Sequence, residues 1–481
     1  MKIINKIFIF CVIGLLSFSS CNQDILDTTA TDQLDSDQVV ASIANARGFL
    51  FGAYSRLRDN NLYHGDLAAL GDILTGNASI TSINNGRFAF MYRYDYNPTT
   101  QVVENVWREL YALIGNVNPI IAQLPNITAE DEDPDFAERD QIVAEALSLR
   151  ALAYFELIRF YADRYDPSTA ASTPGVPIIV ESISPSLEAQ PRSSLQEVVD
   201  VIIADLNQAL SLFDDTLVTG DEALTRFNTN SVNALLSRVY LFTEQFDLVV
   251  QSANNVSNTL VTNQADYDDM FLTSTGSEVI FRAPIVATDT PTATFGFIYF
   301  FPVGARQDYI PTDEFLGLFE AGDYRRTSAV RLDTGRQTVN KFPDNPNAGT
   351  PGFVEFMILR YSEVVLNRAE AYFRSGNSTM ALNDVNAIRN ARNLPSINVS
   401  GDALRDAIRL ERRLELAFEG HYWHDLKREF LPMFREQVEA CEGAGCIFNI
   451  APTERFWLWP IPNTEIQFNP QINAENQNPG Y

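Results

Sequence analysis

LRYSEVVLNRAEAYFRSGNSTMALNDVNAIRNA, residues 359–391, is the stretch from which the rest of the chain can be read. Ala369, Tyr372, Gly376 and Ala381 lie three, seven and twelve residues along from the first, the spacing of a tetratricopeptide helix–turn–helix. Small residues at such positions let two antiparallel helices approach closely. Gly376 and Asn377 mark the turn, and Val365, Leu366, Ala369, Tyr372 and Phe373 recur at threes and fours as one helix face. A lone hairpin cannot bury that face, so the pattern predicts neighbours.

A second copy, NTNSVNALLSRVYLFTEQFDLVVQSANNV, puts Ser237, Tyr240, Glu244 and Val249 at the same offsets. A third, partial copy is AEALSLRALAYFELIRFYADRY, with Ala151 and Tyr154 in register. Its partner helix, expected over residues 195–213, follows a connector at 172–192 that carries Pro174, Pro177, Pro185 and Pro191. The expected fold is mainly α, tetratricopeptide-like hairpins supporting a loop-rich variable lobe with short strands.

With 481 residues and 46% hydrophobic content the chain can bury a large core. Lys2 and Lys6 precede an apolar run at 7–16 and small residues before Cys21, which reads as a signal peptide over 1–20, too short to span a membrane. LSFSSC resembles a bacterial lipobox, which would make Cys21 the lipidated first residue, followed by a polar tether over 21–38. Without residues 1–20 the chain carries 33 basic against 62 acidic side chains, a net −29. That balance opposes nucleic acid and adsorption to an anionic surface, so membrane attachment must come from lipid. Cys441 and Cys446 in ACEGAGC read better as a local disulfide than as a metal pair, since no second pair or neighbouring histidine completes a site.

Along the chain, amphipathic helices are expected over 39–58 and 102–123, with the N-terminal helical region running to 261. Between these two helices lies RFAFMYRYDYNP, where Phe88, Phe90, Tyr92, Tyr94 and Tyr96 alternate with other residues; an extended strand would put all five rings on one face, more often a core face than a display. Residues 262–355 lose helical periodicity and form the largest insertion, with FGFIYFFP placing Phe295, Phe297, Tyr299 and Phe301 in a second alternation. Variable chemistry on a helical-pair scaffold gathers on such excursions. The expected ligand site therefore joins Asn84, Asn85, Arg87, Phe88 and Tyr92 to Phe295, Phe297, Tyr299, Asp308 and Tyr309. In the C-terminal region, 356–481, Glu411, Glu415 and Glu419 are spaced by four, one line on a helix, and need facing cations. The expected partners are drawn from Arg360, Arg368, Arg389 or Arg428 of adjoining segments, with Arg412 and Arg413 pointing elsewhere; a structural ion network is favoured over a cation site.

Only His64, His421 and His424 occur, none in an HExxH arrangement, and no GxSxG, P-loop or dinucleotide fingerprint is present. A glycosidase-type carboxylate pair stays open, because geometry alone reveals one.

Taken together the segments resemble the SusD/RagB family of Bacteroidetes outer-membrane lipoproteins over nearly the whole length. The likeness rests on Cys21, on Trp107, Tyr111 and Asn118, on LRALAYFELIRFYADRY followed by GVPI, and on RYSEVVLNRAEAYFRSG with VNAIRNAR. LERRLELAFEG with DLKR, and WPIP with a terminal QNPGY, complete it. Tyr422 departs from the arginine usual after EG and puts the surroundings of Glu419 in question. The resemblance implies a lipid-anchored, exterior-facing subunit that captures oligosaccharides, or in some members peptides, for a SusC-like TonB-dependent transporter, without catalysis or cofactor. Trp107, Trp423, Trp457 and Trp459 all fall in framework motifs, so a tyrosine or phenylalanine platform must serve a sugar and a peptide ligand stays open. The rival classes are a secreted carboxylate-pair glycosidase and a structural envelope scaffold. Cys21→Ala is expected to abolish lipidation and release the protein from the outer-membrane fraction; retention in washed membranes would show another anchor.

Overall fold

In the computed structural model, residues 39–127, 137–182, 188–285, 307–328, 330–333, 336–342, 355–438, 441 and 445–481 are described. Cys21, the tether and the stretch with Phe295, Phe297 and Tyr299 lie outside them. The residues quoted first form helices Tyr361–Arg374 and Ser378–Ala391. Gly376 adopts φ +80 at the turn, and the Asn377 side chain accepts from the Met380 amide to cap the second helix. Ala369 and Ala381 are fully buried and pack with Val385, Leu404 and Ile408, so the helix Asp402–Glu415 closes over this hairpin.

The second copy forms helices Thr229–Phe242 and Phe246–Asn254, opened by a capping box between Asn228 and Ser231. Glu244 stands where the first copy has glycine and takes φ 57. The two hairpins are joined through Asn367, whose Nδ2 donates to Ser237 Oγ at 3.1 Å, and through Arg368, whose Nη1 donates to Asn254 Oδ1 at 2.8 Å. The third pair is Arg139–Tyr161 with Leu195–Leu212, locked by a buried two-pronged ion pair in which Arg150 Nε and Nη2 each lie 2.8 Å from an Asp205 oxygen. Helices Ile43–Arg56 and Gln101–Gln123 pack in front of it; Asn118 accepts from Arg150 and donates to the carbonyls of Ile179 and Glu181, which fastens the proline-rich connector.

The strands among the described residues form short antiparallel pairs: Ala78–Ile80 with Tyr309–Pro311, Val279–Ala283 with Phe356–Arg360, Val330–Asp333 with Arg336–Val339, and Met433–Phe434 with Asn449–Ile450. The fold is mainly α, as expected. The stretch from 262 is less irregular than its composition implies, since the Asn263 side chain caps a helix Gln264–Thr273.

RFAFMYRYDYNP is not a strand. Phe88 and Tyr94 take φ 53 and 57, and a short helix Ala89–Tyr92 stands between them. The expected burial holds for four of the five rings, with Phe88, Tyr92, Tyr94 and Tyr96 in the core and Phe90 56% exposed. Residues about 200° apart on a helix face opposite ways, which sends Phe90 out while Phe88 and Tyr92 go in.

Glu411, Glu415 and Glu419 do meet cations, Arg360 and Arg389 among those expected and Arg325, Lys341 and Arg392 besides. Arg360 reaches Glu415 Oε1 at 2.7 Å and Glu419 Oε2 at 2.6 Å, and Lys341 Nζ lies 2.6 Å from Glu419 Oε1. Arg392 reaches Glu415 Oε1 at 2.8 Å and Glu278 at 2.7 Å; Arg325 reaches Glu411 at 2.9 Å, Glu415 at 3.2 Å and Asp323 at 2.7 Å. Arg389 completes the set on Glu411 at 2.8 Å. Arg368 and Arg428 are not members: Arg368 pairs with Asp384, and Arg428 with Glu370 and Asp425. Glu419 is off the helical line, because the helix ends at Glu415 and Phe418 turns the chain with φ 66. Gly420 follows with φ +81, and a Cβ there would meet Ala68 O at 2.7 Å, so only glycine permits this approach to helix Asp66–Ile73. Tyr422 stands apart from the network, its ring 4.6 Å from the Arg413 guanidinium that pairs with Glu314. Burial pushes the Glu415 carboxyl up, but Arg392, Arg360 and Arg325 overcome it and hold it well below the usual range.

Removing one partner leaves buried charge unmatched, so Arg392→Met is expected to cost about 3–5 kcal/mol in chemical denaturation. Arg405→Ala, on an exposed pair with Asp402, should leave Tm unchanged. Glu415 has a depressed folded-state pKa, so its contribution is present above the unfolded carboxylate value and is lost as pH falls through the folded one. Glu415→Gln should accordingly flatten the acid limb of the stability–pH curve. Cys441 and Cys446 are bonded, their Cα atoms 5.6 Å apart, across a small loop. Thiol titration of unfolded, unreduced protein should find neither free, and Cys446→Ser should cost on the order of 2 kcal/mol at most.

Candidate ligand-binding site

The two stretches singled out for ligand binding meet in space. Ile80 pairs with Tyr309 across the Ala78–Ile80 and Tyr309–Pro311 strands, and the pairing extends as the Thr81 amide donates to Asp308 O at 3.0 Å and Thr81 Oγ1 to Gln307 O at 2.6 Å. Beyond the strand the chain folds on Asn84. Its Oδ1 accepts from the Gly86 amide at 2.6 Å, and its Nδ2 donates to Arg87 O at 3.1 Å and Asp308 O at 3.4 Å. Gly86 has φ +103, which an L side chain rarely adopts.

Arg87 is the hub. Its Nε lies 3.5 Å from Asp308 Oδ2, and its carbonyl accepts from the Tyr309 hydroxyl at 2.9 Å. Its side chain remains about one-third exposed, while the Asp308 carboxylate is wholly buried behind it. Asp66 is a second acid in this neighbourhood: burial pushes it up to about 7, the Arg87 charge opposes that, and Asp59 adds to it.

The rings expected as platforms form the floor. Tyr92 and Tyr309 are fully buried with ring centres 5.9 Å apart, and the Arg435 guanidinium lies 4.0 Å from the Tyr92 ring centre while Nη1 donates to Tyr92 O at 2.7 Å. Phe88 is buried beside them. Burial, with Tyr92 and Asp308 adding to it, holds the Tyr309 phenol well above its ordinary value. The assignment of Phe88, Tyr92 and Tyr309 as ligand-contacting rings is therefore corrected: they support the surface from below. Asn84 too acts within the fold, through the hydrogen bonds that shape the turn. Phe295, Phe297 and Tyr299 are not among the described residues.

What this floor presents outward is Asn85, the partly exposed Arg87, Ile83 and Phe90, with the Arg93 guanidinium 5.2 Å from the Phe90 ring centre. Phe90, Arg93 and Asp66 did not enter the expected site. Phe90 and Arg93 carried a signal that was misread, since a helical phase after Gly86 would have turned Phe90 outward. Asp66 carried none, lying on a separate element. An apolar ring flanked by an amide and guanidinium groups can stack on a flat apolar face and hydrogen-bond the hydroxyls around it. A carboxylate pair is not offered here, because Asp308 is withdrawn from the surface and tied to Arg87.

Known proteins are similar to this chain in sequence and architecture. A profile of the SusD family matches residues 318–481, and a second, described as starch-binding and associating with the outer membrane, matches residues 24–241. A SusD-like protein of Formosa agariphila is 26% identical, the alignment covering 76% of this chain and 78% of the relative. The crystal structure of a SusD superfamily protein from Bacteroides thetaiotaomicron superposes with TM-score 0.79 at 25% identity, covering 91% of this chain and all of the other. A laminarin-binding SusD-like protein superposes with TM-score 0.70 at 23% identity over 91% of this chain and 99% of that one. With its helical hairpins in place and both profiles matched in order along it, the chain belongs to the SusD/RagB family.

Proposed function

We propose that this chain is a cell-surface binding subunit that captures an oligosaccharide on the face bearing Asn85, Arg87 and Phe90 and passes it to a SusC-like TonB-dependent transporter. The observation that carries the reading is the exposed Phe90 ring beside Asn85 and Arg87, on a rigid floor, in a family one of whose profiles is described as starch-binding. On this reading Cys21 carries the lipid that holds the subunit at the outer membrane, facing the exterior. No helix among the described residues is long and apolar enough to cross a membrane. Phe295, Phe297 and Tyr299 join the site on composition alone. The subunit contributes affinity and presentation, and turnover is not part of the role.

Binding of malto-oligosaccharides, laminari-oligosaccharides and a peptide panel by calorimetry tests the proposal. Phe90→Ala is expected to keep its Tm and to weaken glycan binding about 5- to 10-fold, ~1 kcal/mol of ring stacking. Tyr309→Ala is expected instead to cost about 3–5 kcal/mol of stability, as a core ring does. Unchanged glycan affinity in Phe90→Ala would move the site elsewhere, binding of peptides alone would make this a peptide-capturing member, and cleaved products would make it an enzyme.

A further inference from the structure

The strand pair Met433–Phe434 with Asn449–Ile450, between whose strands the Cys441–Cys446 bond closes a loop, is fastened to each segment that builds the Asn85–Phe90 face. The Phe434 carbonyl packs so closely on Gly76, two residues before strand Ala78–Ile80, that a Cβ on Gly76 would lie 2.3 Å from its oxygen. The Arg435 guanidinium lies over the Tyr92 ring and donates to the Tyr92 carbonyl, while its amide prolongs the strand pairing by donating to Phe448 O at 2.9 Å. Glu436 accepts from the Asp313 amide at 2.9 Å and the Glu314 amide at 3.3 Å, just beyond strand Tyr309–Pro311. The hairpin is thus a third wall of the face, joined to both of the stretches that meet there.

Alternation along this strand decides which way its side chains point. Met433 is fully buried and Arg435 nearly so, whereas Phe434 between them is 63% exposed. No aromatic ring or cation among the described residues lies against the Phe434 ring. The helix across the contact repeats the arrangement, with Tyr92 turned in and Phe90 turned out. Tyr92 and Arg435 meet at 4.0 Å beneath the surface, so two outward phenylalanines rise from neighbouring elements over one buried contact. A single exposed apolar side chain is ordinary on a protein surface and asks for no ligand. Two rings that the core does not use, on elements locked together from below, make a divided apolar surface that cannot close on itself.

The surroundings of the two rings differ. Phe90 has Asn85, Arg87 and Arg93 near it, which can hydrogen-bond the hydroxyls of a sugar stacked on the ring. Beside Phe434 the polar side chains are already engaged, Arg435 inward on Tyr92 and Glu436 on two amides. A short ligand gains more at Phe90, and Phe434 adds contact only for a ligand long enough to reach it.

We propose that Phe434 is a second ring platform of the ligand site, on which a sugar residue of an extended neutral oligosaccharide stacks while another occupies Phe90, so that the pair of rings selects for chain length. This rests on the oligosaccharide reading of the Asn85–Phe90 face. The hairpin that carries Phe434 contributes through its anchoring, because a ring held in place loses little freedom when a sugar settles on it.

Calorimetry on the full mature chain with malto- and laminari-oligosaccharides, from disaccharide to heptasaccharide, tests the proposal. Wild-type affinity for the series that binds is expected to climb with chain length. Phe434→Ala should leave Tm and disaccharide affinity unchanged and weaken heptasaccharide binding about 5- to 10-fold, the loss of one stacked ring. Phe434→Tyr, which keeps a ring, should keep the gain with length, and Phe90→Ala should weaken short and long ligands alike. If Phe90→Ala weakens binding while Phe434→Ala binds every length as wild type does, this inference is overturned and the oligosaccharide reading stands. Unchanged affinities in both variants, or binding of neither series by wild type, overturn the two together.

Discussion

Arg360 and Arg392, both withdrawn from water, grip the same carboxylate, Glu415, and the arrangement of the C-terminal half follows from the need to keep that cluster matched. Desolvating an ion costs several kcal/mol even after relaxation, so each buried member is tolerable only with all its partners in place. Those partners come from separate segments. Strand Phe356–Arg360 delivers Arg360, its neighbour Val279–Ala283 follows directly on Glu278, and the end of Ser378–Ala391 delivers Arg389 and Arg392. Displacing any one of these elements by a residue would strand a charge, which is a stronger constraint on register than apolar packing, where side chains of similar volume can substitute.

The same cluster changes how the stretch between 262 and 355 relates to the scaffold. Its sequence reads as an excursion, yet it supplies Glu278, Asp323, Arg325 and Lys341 to the network. The excursion is therefore riveted from within, and Tyr309–Pro311 is fixed again by pairing with Ala78–Ile80. A binding surface gains from such anchoring, because a floor of Tyr92, Tyr309 and Arg435 that does not move lets Asn85, Arg87 and Phe90 meet a ligand without first being ordered.

The hairpins were legible because a helical pair imposes a period and demands small residues at fixed offsets, as Ala369 and Ala381 show. The cations facing Glu411, Glu415 and Glu419 were legible as a need and not as identities, since the carboxylate spacing is local while Arg325 and Lys341 arrive from distant turns. The aromatic alternation at 88–96 misled for a definite reason. Residues two apart share a face on a strand but point opposite ways on the short helix Ala89–Tyr92, so the alternation does not report the faces the chain adopts. Of the tyrosines there only Tyr92 was expected at the ligand, and each hydroxyl or ring has a protein partner: Tyr94 donates to Leu74 O, Tyr96 to Phe456 O at 2.5 Å, and Tyr92 lies under Arg435.

The balance of charge bears on what such a protein can hold. With 35 basic against 62 acidic side chains, and the buried Arg325, Lys341, Arg360 and Arg392 matched by the buried Asp323, Glu411, Glu415 and Glu419, the excess of acid that sets the net charge of −27 stays with the outer surface. At the proposed ligand face the Arg87 charge is already answered by Asp308 and felt by Asp66. A polyanionic glycan would approach an acidic surface and find little uncompensated positive charge at the site, whereas a neutral sugar asks only for a ring face and hydrogen bonds. Phe90 and Asn85 supply those, so a neutral oligosaccharide is the ligand class that the charge distribution favours on the proposed reading.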